Sequence, residues 1–121
     1  IRKCSLVVID HPGTAFLEAL VINTPTILFW DNAQTPMREE AKPYFQLLLD
    51  AGILYYKPES AAEKINEIWH EVRGWWQQPE VQKAKDEFCY QFARTSKGWR
   101  KEWADALRMF QIKEATCPQK R

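Results

Sequence analysis

The sequence has few cysteines, and their spacing excludes two kinds of cross-linked domain. Its 121 residues include only Cys4, Cys89 and Cys117, which are far apart and form no CxxC pair. An odd number of widely spaced cysteines predicts neither a disulfide framework nor a zinc site. A reducing cytoplasm is therefore the expected setting.

The sequence also has a net charge close to zero and no long apolar run. Lys and Arg number 17 against 16 Asp and Glu, a formal net charge of +1, which gives no electrostatic attraction to nucleic acid or an anionic membrane. The longest apolar stretch, residues 19–30, is interrupted by Asn23, Thr24 and Pro25, so it falls short of the ~20 apolar residues of a transmembrane helix.

The composition is typical of one globular domain. Because the chain begins at Ile1 without a signal-peptide pattern, we expect a fragment of a longer protein.

What the first half does contain is an alternation of short apolar runs and helical patterns. Residues 5–10 and 26–30 are rich in apolar and β-branched residues, which predicts two buried strands. Between them, Thr14 is placed as the N-cap of a helix. Residues 43–51 predict a second helix, and residues 53–56 predict a third strand. This order is typical of an α/β fold with parallel strands and right-handed crossovers.

From Pro58 onward the sequence predicts helices alone. Ser60 and Glu63 have the spacing of a capping box, and an apolar stripe from Ile65 to Trp76 predicts one long helix. Two more helices are expected, the last with an aromatic and apolar stripe. That stripe consists of Trp99, Trp103, Leu107 and Phe110.

The C-terminal end breaks this pattern. Residues 113–121 are polar and lack periodicity, so we expect a flexible tail after a domain that covers residues 1–112.

The loop between the first strand and helix contains the candidate binding residues His11, Pro12, Gly13 and Thr14, and Glu18 follows one turn later. Ligands of parallel sheets bind beyond the carboxyl ends of the strands. Gly13 lets a phosphate approach the backbone, and the helix N-terminus and the Thr14 hydroxyl attract anions. Glu18 lies on the same helix face as Thr14, where it can accept hydrogen bonds from two ribose hydroxyls. Phosphate followed by ribose predicts a nucleotide site.

The same residues also fit a purely structural interpretation. Strand ends need turns, Gly-Thr commonly opens a helix, and a mid-helix Glu is common on protein surfaces. One glycine without a following Lys is neither a GxGxxG motif nor a P-loop. His11 either caps the strand end or donates to a phosphate or leaving-group oxygen, since imidazole gains charge near neutral pH. It is the candidate catalytic residue.

Taken together, the run DHPGTAFLEALVINTPTILFWD resembles the donor-nucleotide segment in the C-terminal half of GT-B glycosyltransferases. In that segment a Gly/Ser/Thr loop leads into a helix with a Glu, then a Pro and the next strand. With Trp75, Trp76, Trp99 and Trp103, the chain is similar over residues 5–107 to the C-terminal region of a bacterial family of surface-carbohydrate transferases. Asn23 and Thr24 stand where a Gly often precedes the Pro.

This resemblance implies a Rossmann-like parallel sheet with flanking helices, and Trp-rich helices at the C-terminal end. The implied function is that of the donor nucleotide-sugar-binding half of a glycosyltransferase in bacterial surface polysaccharide or lipopolysaccharide biosynthesis. Gly13 and Thr14 would hold the donor phosphates and Glu18 the ribose. His11 and Pro12 are similar to a phosphate-binding His-Pro dipeptide of some bacterial sialyltransferases.

The resemblance also implies the partners. An N-terminal acceptor domain of the same chain would complete the enzyme, so the fragment is expected to be inactive alone. No metal and no cofactor are implied, and the base of the nucleotide stays open. The expected location is the cytoplasm, or the periphery of the inner membrane.

Other functions remain open on the same residues. A GT-B-like nucleotide-sugar epimerase or a polyol-phosphate transferase would use a similar phosphate loop. A function of another class is a non-catalytic protein-interaction module, which would show an exposed aromatic surface on its Trp-rich helices.

We expect the tryptophans to serve packing instead, and to bury the C-terminal helices. The residues concerned are Trp69, Trp75, Trp76, Trp99 and Trp103. His70 is expected on a solvated face, while Asp31 and the loop of residues 32–38 are expected to face the nucleotide cleft.

Overall fold

The three predicted strands form one parallel sheet, which confirms the α/β fold class. The computed structural model describes residues 5–31, 33 and 36–115. Strands β1 (Val7–Ile9), β2 (Thr26–Phe29) and β3 (Leu54–Tyr55) lie in the order β1-β2-β3, and Val8 of β1 pairs with Ile27 of β2. Their carboxyl ends therefore meet at one edge of the sheet, as a Rossmann-like ligand site requires.

Helices connect the strands and cover the sheet. Helix α1 (Thr14–Val21) joins β1 to β2, whereas a short 3₁₀ turn (Glu39–Ala41) and α2 (Lys42–Asp50) join β2 to β3. The later helix α5 (Pro79–Phe92) packs against both α1 and α2.

Aromatic contacts hold these three helices together. The Phe88 ring centroid on α5 lies 5.8 Å from that of Phe16 on α1 and 5.0 Å from that of Phe45 on α2. Both contacts are edge-to-face, the arrangement that aromatic rings favour. The fully buried core includes Phe16, Leu28 of β2 and Phe88.

The segment that precedes α5 contains two helices where the sequence predicts one. Helix α3 (Pro58–Ile68) ends before Trp69, and α4 (Val72–Trp76) begins after Glu71. Because the chain changes direction there, Trp69 is 64% exposed and does not extend the buried stripe. The predicted capping box is also wrong: the helix begins at Pro58, which suits a first helical position, so Ser60 already lies inside it.

The break brings the paired tryptophans into the core. Trp75 and Trp76 are both buried, and the Trp76 indole Nε1–H donates to Oδ1 of Asn23 at 2.9 Å. Asn23 has a φ of 57°, a left-handed conformation that asparagine tolerates better than most residues. Asn23 therefore adopts the conformation that a glycine would supply at this turn, and its side chain satisfies a buried indole as well.

The last helix, α6 (Trp99–Ala115), corrects another expectation. Its aromatic and apolar stripe was predicted to bury the helix, yet the large side chains of this stripe are between 53% and 67% exposed. They are Trp99, Trp103, Leu107 and Phe110. The helix also runs through residues 113–115 of the predicted tail, whereas residues 116–121 lie outside the described residues.

Candidate functional site

The first turn of α1 leaves backbone donors available. Gly13, and not Thr14 as predicted, is the N-cap, with an extended backbone and no side-chain cap. Its carbonyl oxygen accepts from the N–H groups of Phe16 and Leu17 at 3.1 and 3.3 Å. The N–H groups of Thr14 and Ala15 have no acceptor among the described residues. These donors, with the positive end of the helix dipole, form a site that favours an anion.

His11 lies directly over this turn. A Cβ atom on Gly13 would come within 2.6 Å of the His11 imidazole Nε2, so a glycine here lets the ring lie close to the backbone. His11 Nδ1 is 3.0 Å from the Asp10 carboxylate, and this hydrogen bond lowers the pKa of Asp10 below its usual value. Both side chains are largely exposed, so the pair contributes little to stability. Its effect is to orient the ring, with Nε2 beside the backbone of Gly13.

Thr14 and Glu18 line one wall of a cleft of about 600 Å³, which we call the α1 cleft. Leu17 and Val21 add apolar surface to this wall, and Arg94 and Thr95 belong to the opposite wall. The Glu18 side chain forms no hydrogen bond or ion pair with the described residues. The cleft thus holds an available carboxylate and a hydroxyl one helical turn apart, as the sequence predicts.

Arg94 and Thr95 are site residues that the sequence analysis missed. They follow the C-terminal end of α5, far along the chain from the loop at Gly13, and no motif or periodicity marks them. Only the packing of α5 against α1 brings them to the cleft.

A second, smaller cleft of about 280 Å³ continues from the first between α1 and α5. Val21, Arg94 and Thr95 line both clefts, and the second also reaches Lys85 and Cys89. Lys85 is only 7% exposed, and its Nζ lies 2.8 Å from the Asp86 carboxylate. Burial raises the pKa of the Cys89 thiol, so Cys89 is mainly an uncharged thiol at neutral pH and lacks the features of a nucleophile.

Other polar residues expected near the cleft lie elsewhere or have local partners. Arg38 lines a separate cleft with Phe92, and Asp31 accepts from the Ala33 N–H at 3.0 Å. His70 is exposed, as predicted. Within the expected loop, residues 32, 34 and 35 lie outside the described residues. The described residues contain no cluster of three or more His, Cys, Asp or Glu side chains that would hold a metal ion.

Another cleft lies at the opposite edge of the sheet. It measures about 660 Å³ and is lined by Ser5, Thr24 and Arg73, among others. Ser5 and Thr24 precede β1 and β2, so this cleft lies at the amino ends of the strands. Ligands of open parallel sheets bind at the carboxyl ends. The loop at Gly13 and the Thr14 end of the α1 cleft lie at that edge, so we assign the candidate site to them. The far end of the α1 cleft reaches Ile22, which also lines the cleft at the amino ends.

Comparison with known proteins identifies a family. The family model described as LIC12162 family transferase matches residues 1–107, so the chain belongs to this family of transferases. Neither the curated proteins nor the solved structures contain a significant match. None of the helices in the described part of the chain combines the length and apolar character needed to cross a bilayer.

Proposed function

We propose, from the premise that the chain is a transferase of this family, that it binds the nucleotide-sugar donor of a glycosyl transfer reaction. The observation that carries the proposal is the arrangement at α1. N–H groups of the first turn that have no acceptor in the described part of the chain lie beside the His11 ring, and the Glu18 carboxylate, equally without a partner there, lies one turn further along the same face. A diphosphate fits the first group, and the two vicinal hydroxyls of a ribose fit the carboxylate.

The same geometry suits departure of the nucleotide. In glycosyl transfer, the bond between the anomeric carbon and the phosphate oxygen breaks, and negative charge increases on the leaving diphosphate. The Thr14 and Ala15 N–H groups stabilise that charge without reorganisation. Protonated His11 donates from Nε2 while Asp10 holds Nδ1–H, because both nitrogens of an imidazolium are donors.

The acceptor and the catalytic base belong, in this proposal, to an N-terminal domain of the same protein. Residues 1–112 would form the donor domain, and the enzyme would act in surface polysaccharide biosynthesis on the cytoplasmic side of the inner membrane. Binding of donor and acceptor across a shared cleft would supply the proximity that transfer requires.

Glu18→Ala tests the ribose contact. Loss of hydrogen bonds to a charged group costs about 1.5–3 kcal/mol, so the Kd for the bound nucleoside diphosphate should rise roughly tenfold to a hundredfold. Chemical-shift titration with UDP, GDP, CDP, CMP and ADP measures this and shows whether the affected signals cluster at residues 13–18. The stability of the domain should not fall, since Glu18 is exposed.

Glu63→Ala is the matched control, because Glu63 is an exposed helical glutamate on α3, away from the α1 cleft. It should leave the Kd unchanged. Equal affinity of wild type and Glu18→Ala would contradict the ribose contact, and the absence of any response to millimolar nucleotide would contradict the donor site.

A second candidate function rests on the exposed stripe of α6. An exposed aromatic face is the feature expected of a protein-interaction module. In the titration, a docking function would give no nucleotide response at residues 13–18. Addition of the remaining transferase domain would instead broaden the indole signals of Trp99 and Trp103.

A further inference from the structure

Among the residues that the structure describes, Arg94 is the one arginine that lines the α1 cleft. Its guanidinium lies over the Tyr90 ring, 4.4 Å from the ring centroid, and stacking of this kind fixes the plane of the group. It forms no ion pair with the described residues. The N–H donors at its edge are therefore oriented and available.

The position of Arg94 follows from the two adjoining clefts. Arg94 and Val21 line both, whereas Thr14 and Glu18 line only the first. Arg94 thus lies toward the Val21 end of the cleft. That end is about 10 Å along the helix axis from Thr14, at 1.5 Å per residue.

We propose that Arg94 recognises the base of the donor nucleotide. It selects uracil and guanine, which have a carbonyl oxygen at O4 and O6, over cytosine and adenine, which have an amino group at the corresponding position. The inference rests on the proposed function: with phosphates at Thr14 and ribose at Glu18, the base is the next part of the ligand along α1. Leu17 and Val21 give it apolar surface.

The selectivity follows from the chemistry of the guanidinium. Arginine has five N–H donors and no acceptor, so it pairs with O4 of uracil or with O6 and N7 of guanine. The amino groups of cytosine and adenine are donors at the corresponding positions and need an acceptor. Asp86 lines only the second cleft, where Lys85 lies 2.8 Å from its carboxylate. Glu18 is the one carboxylate among the described residues that lines the α1 cleft, and in this proposal it binds the ribose.

The experiment compares two matched pairs of ligands, UDP with CDP and GDP with ADP, on the wild-type chain and on Arg94→Ala. Wild type should bind UDP about tenfold more tightly than CDP, and GDP about tenfold more tightly than ADP. This is the discrimination expected of a good arginine–base contact. Arg94→Ala should abolish both preferences and change the Kd for CDP and ADP less than about twofold. Calorimetric titration at fixed salt gives the four constants.

Arg100→Ala is the matched control. Arg100 also lies over an aromatic ring, that of Trp99 at 5.4 Å, but it is on α6 and outside the α1 cleft. It should keep the wild-type preferences.

Three results would overturn the inference. An equal loss of affinity for all four nucleotides in Arg94→Ala would assign the arginine to the phosphates, and lack of preference in the wild type would remove the base contact. In both cases the donor site stands. If no nucleotide binds at all, the proposed function and this inference fail together.

Discussion

Helices α4 and α6 each contain two tryptophans, but those of α4 are buried and those of α6 are exposed. On α4, Trp75 and Trp76 are buried, and the Trp76 N–H has a partner in Asn23. On α6, Trp99 and Trp103 are exposed, with no hydrogen-bond partner for either indole among the described residues. The residue type is the same, so the difference lies in what each helix packs against. Burial of a tryptophan needs apolar surface, and a buried indole N–H usually finds an acceptor, as that of Trp76 does.

The strongest test of this comparison is truncation of one tryptophan in each region. Trp76→Ala should lower the free energy of unfolding by about 3–5 kcal/mol, because it leaves a cavity in the core. Trp103→Ala should change it by less than about 0.5 kcal/mol, as exposed positions do. Denaturant unfolding of both variants gives the values. A similar loss for both would show that the α6 stripe is covered in solution.

A smaller effect is expected at the acceptor. Asn23→Ala loses the bond from the Trp76 indole to Oδ1 and places alanine, which tolerates a φ of 57° less well than asparagine, at this turn, which should cost about 2 kcal/mol in all. The longer contact of the indole with the backbone carbonyl oxygen of residue 23, at 3.3 Å, remains in the variant. Asn23→Gly keeps the turn and loses only the bond, about 1 kcal/mol. The same unfolding experiment separates the two contributions. Equal losses would mean that the positive φ is not what selects Asn23.

The least disruptive test uses thiol reactivity. In a Cys4→Ser, Cys117→Ser background, Cys89 should react with iodoacetamide more slowly at pH 8 than a cysteine introduced as Ala106→Cys on exposed α6. Burial raises the pKa of Cys89, so less of the reactive thiolate is present, and the rate should level off at a higher pH. A rate profile from pH 7 to 10 measures both. Identical profiles would show that the α1–α5 contact opens readily.

The fold was predictable from the sequence where each segment determines its own structure. The apolar runs before Asp10 and Asp31 are too short and too β-branched for helices, and the helices between them follow from their periodicity. Helical spacing shows which residues share a face, but it does not show what lies against that face. For this reason the prediction placed Trp75 and Trp103 alike in packing roles, and only Trp75 is buried.

The candidate site likewise contains residues that could be predicted from local sequence and a residue that could not. Gly13, Thr14 and Glu18 are close in sequence, so a single loop and helix turn place them together. Arg94 reaches the cleft only through the packing of α5 on α1, and no local pattern contains that information. Thr14 was predicted to cap the helix, but the extended Gly13 takes that place, and this leaves the Thr14 side chain to the cleft.

The hydrogen bond between Asn23 and Trp76 joins residues 53 positions apart, and this separation bears on the order of folding. The β1-α1-β2 unit closes through short loops, whereas Trp76 reaches its acceptor only after α2, β3 and α3 have been placed. Loop closure across a longer segment costs more chain entropy. We therefore expect the Asn23 turn to form before the Trp76 indole packs against it. Burial of Trp76 is then expected to be a late step of folding.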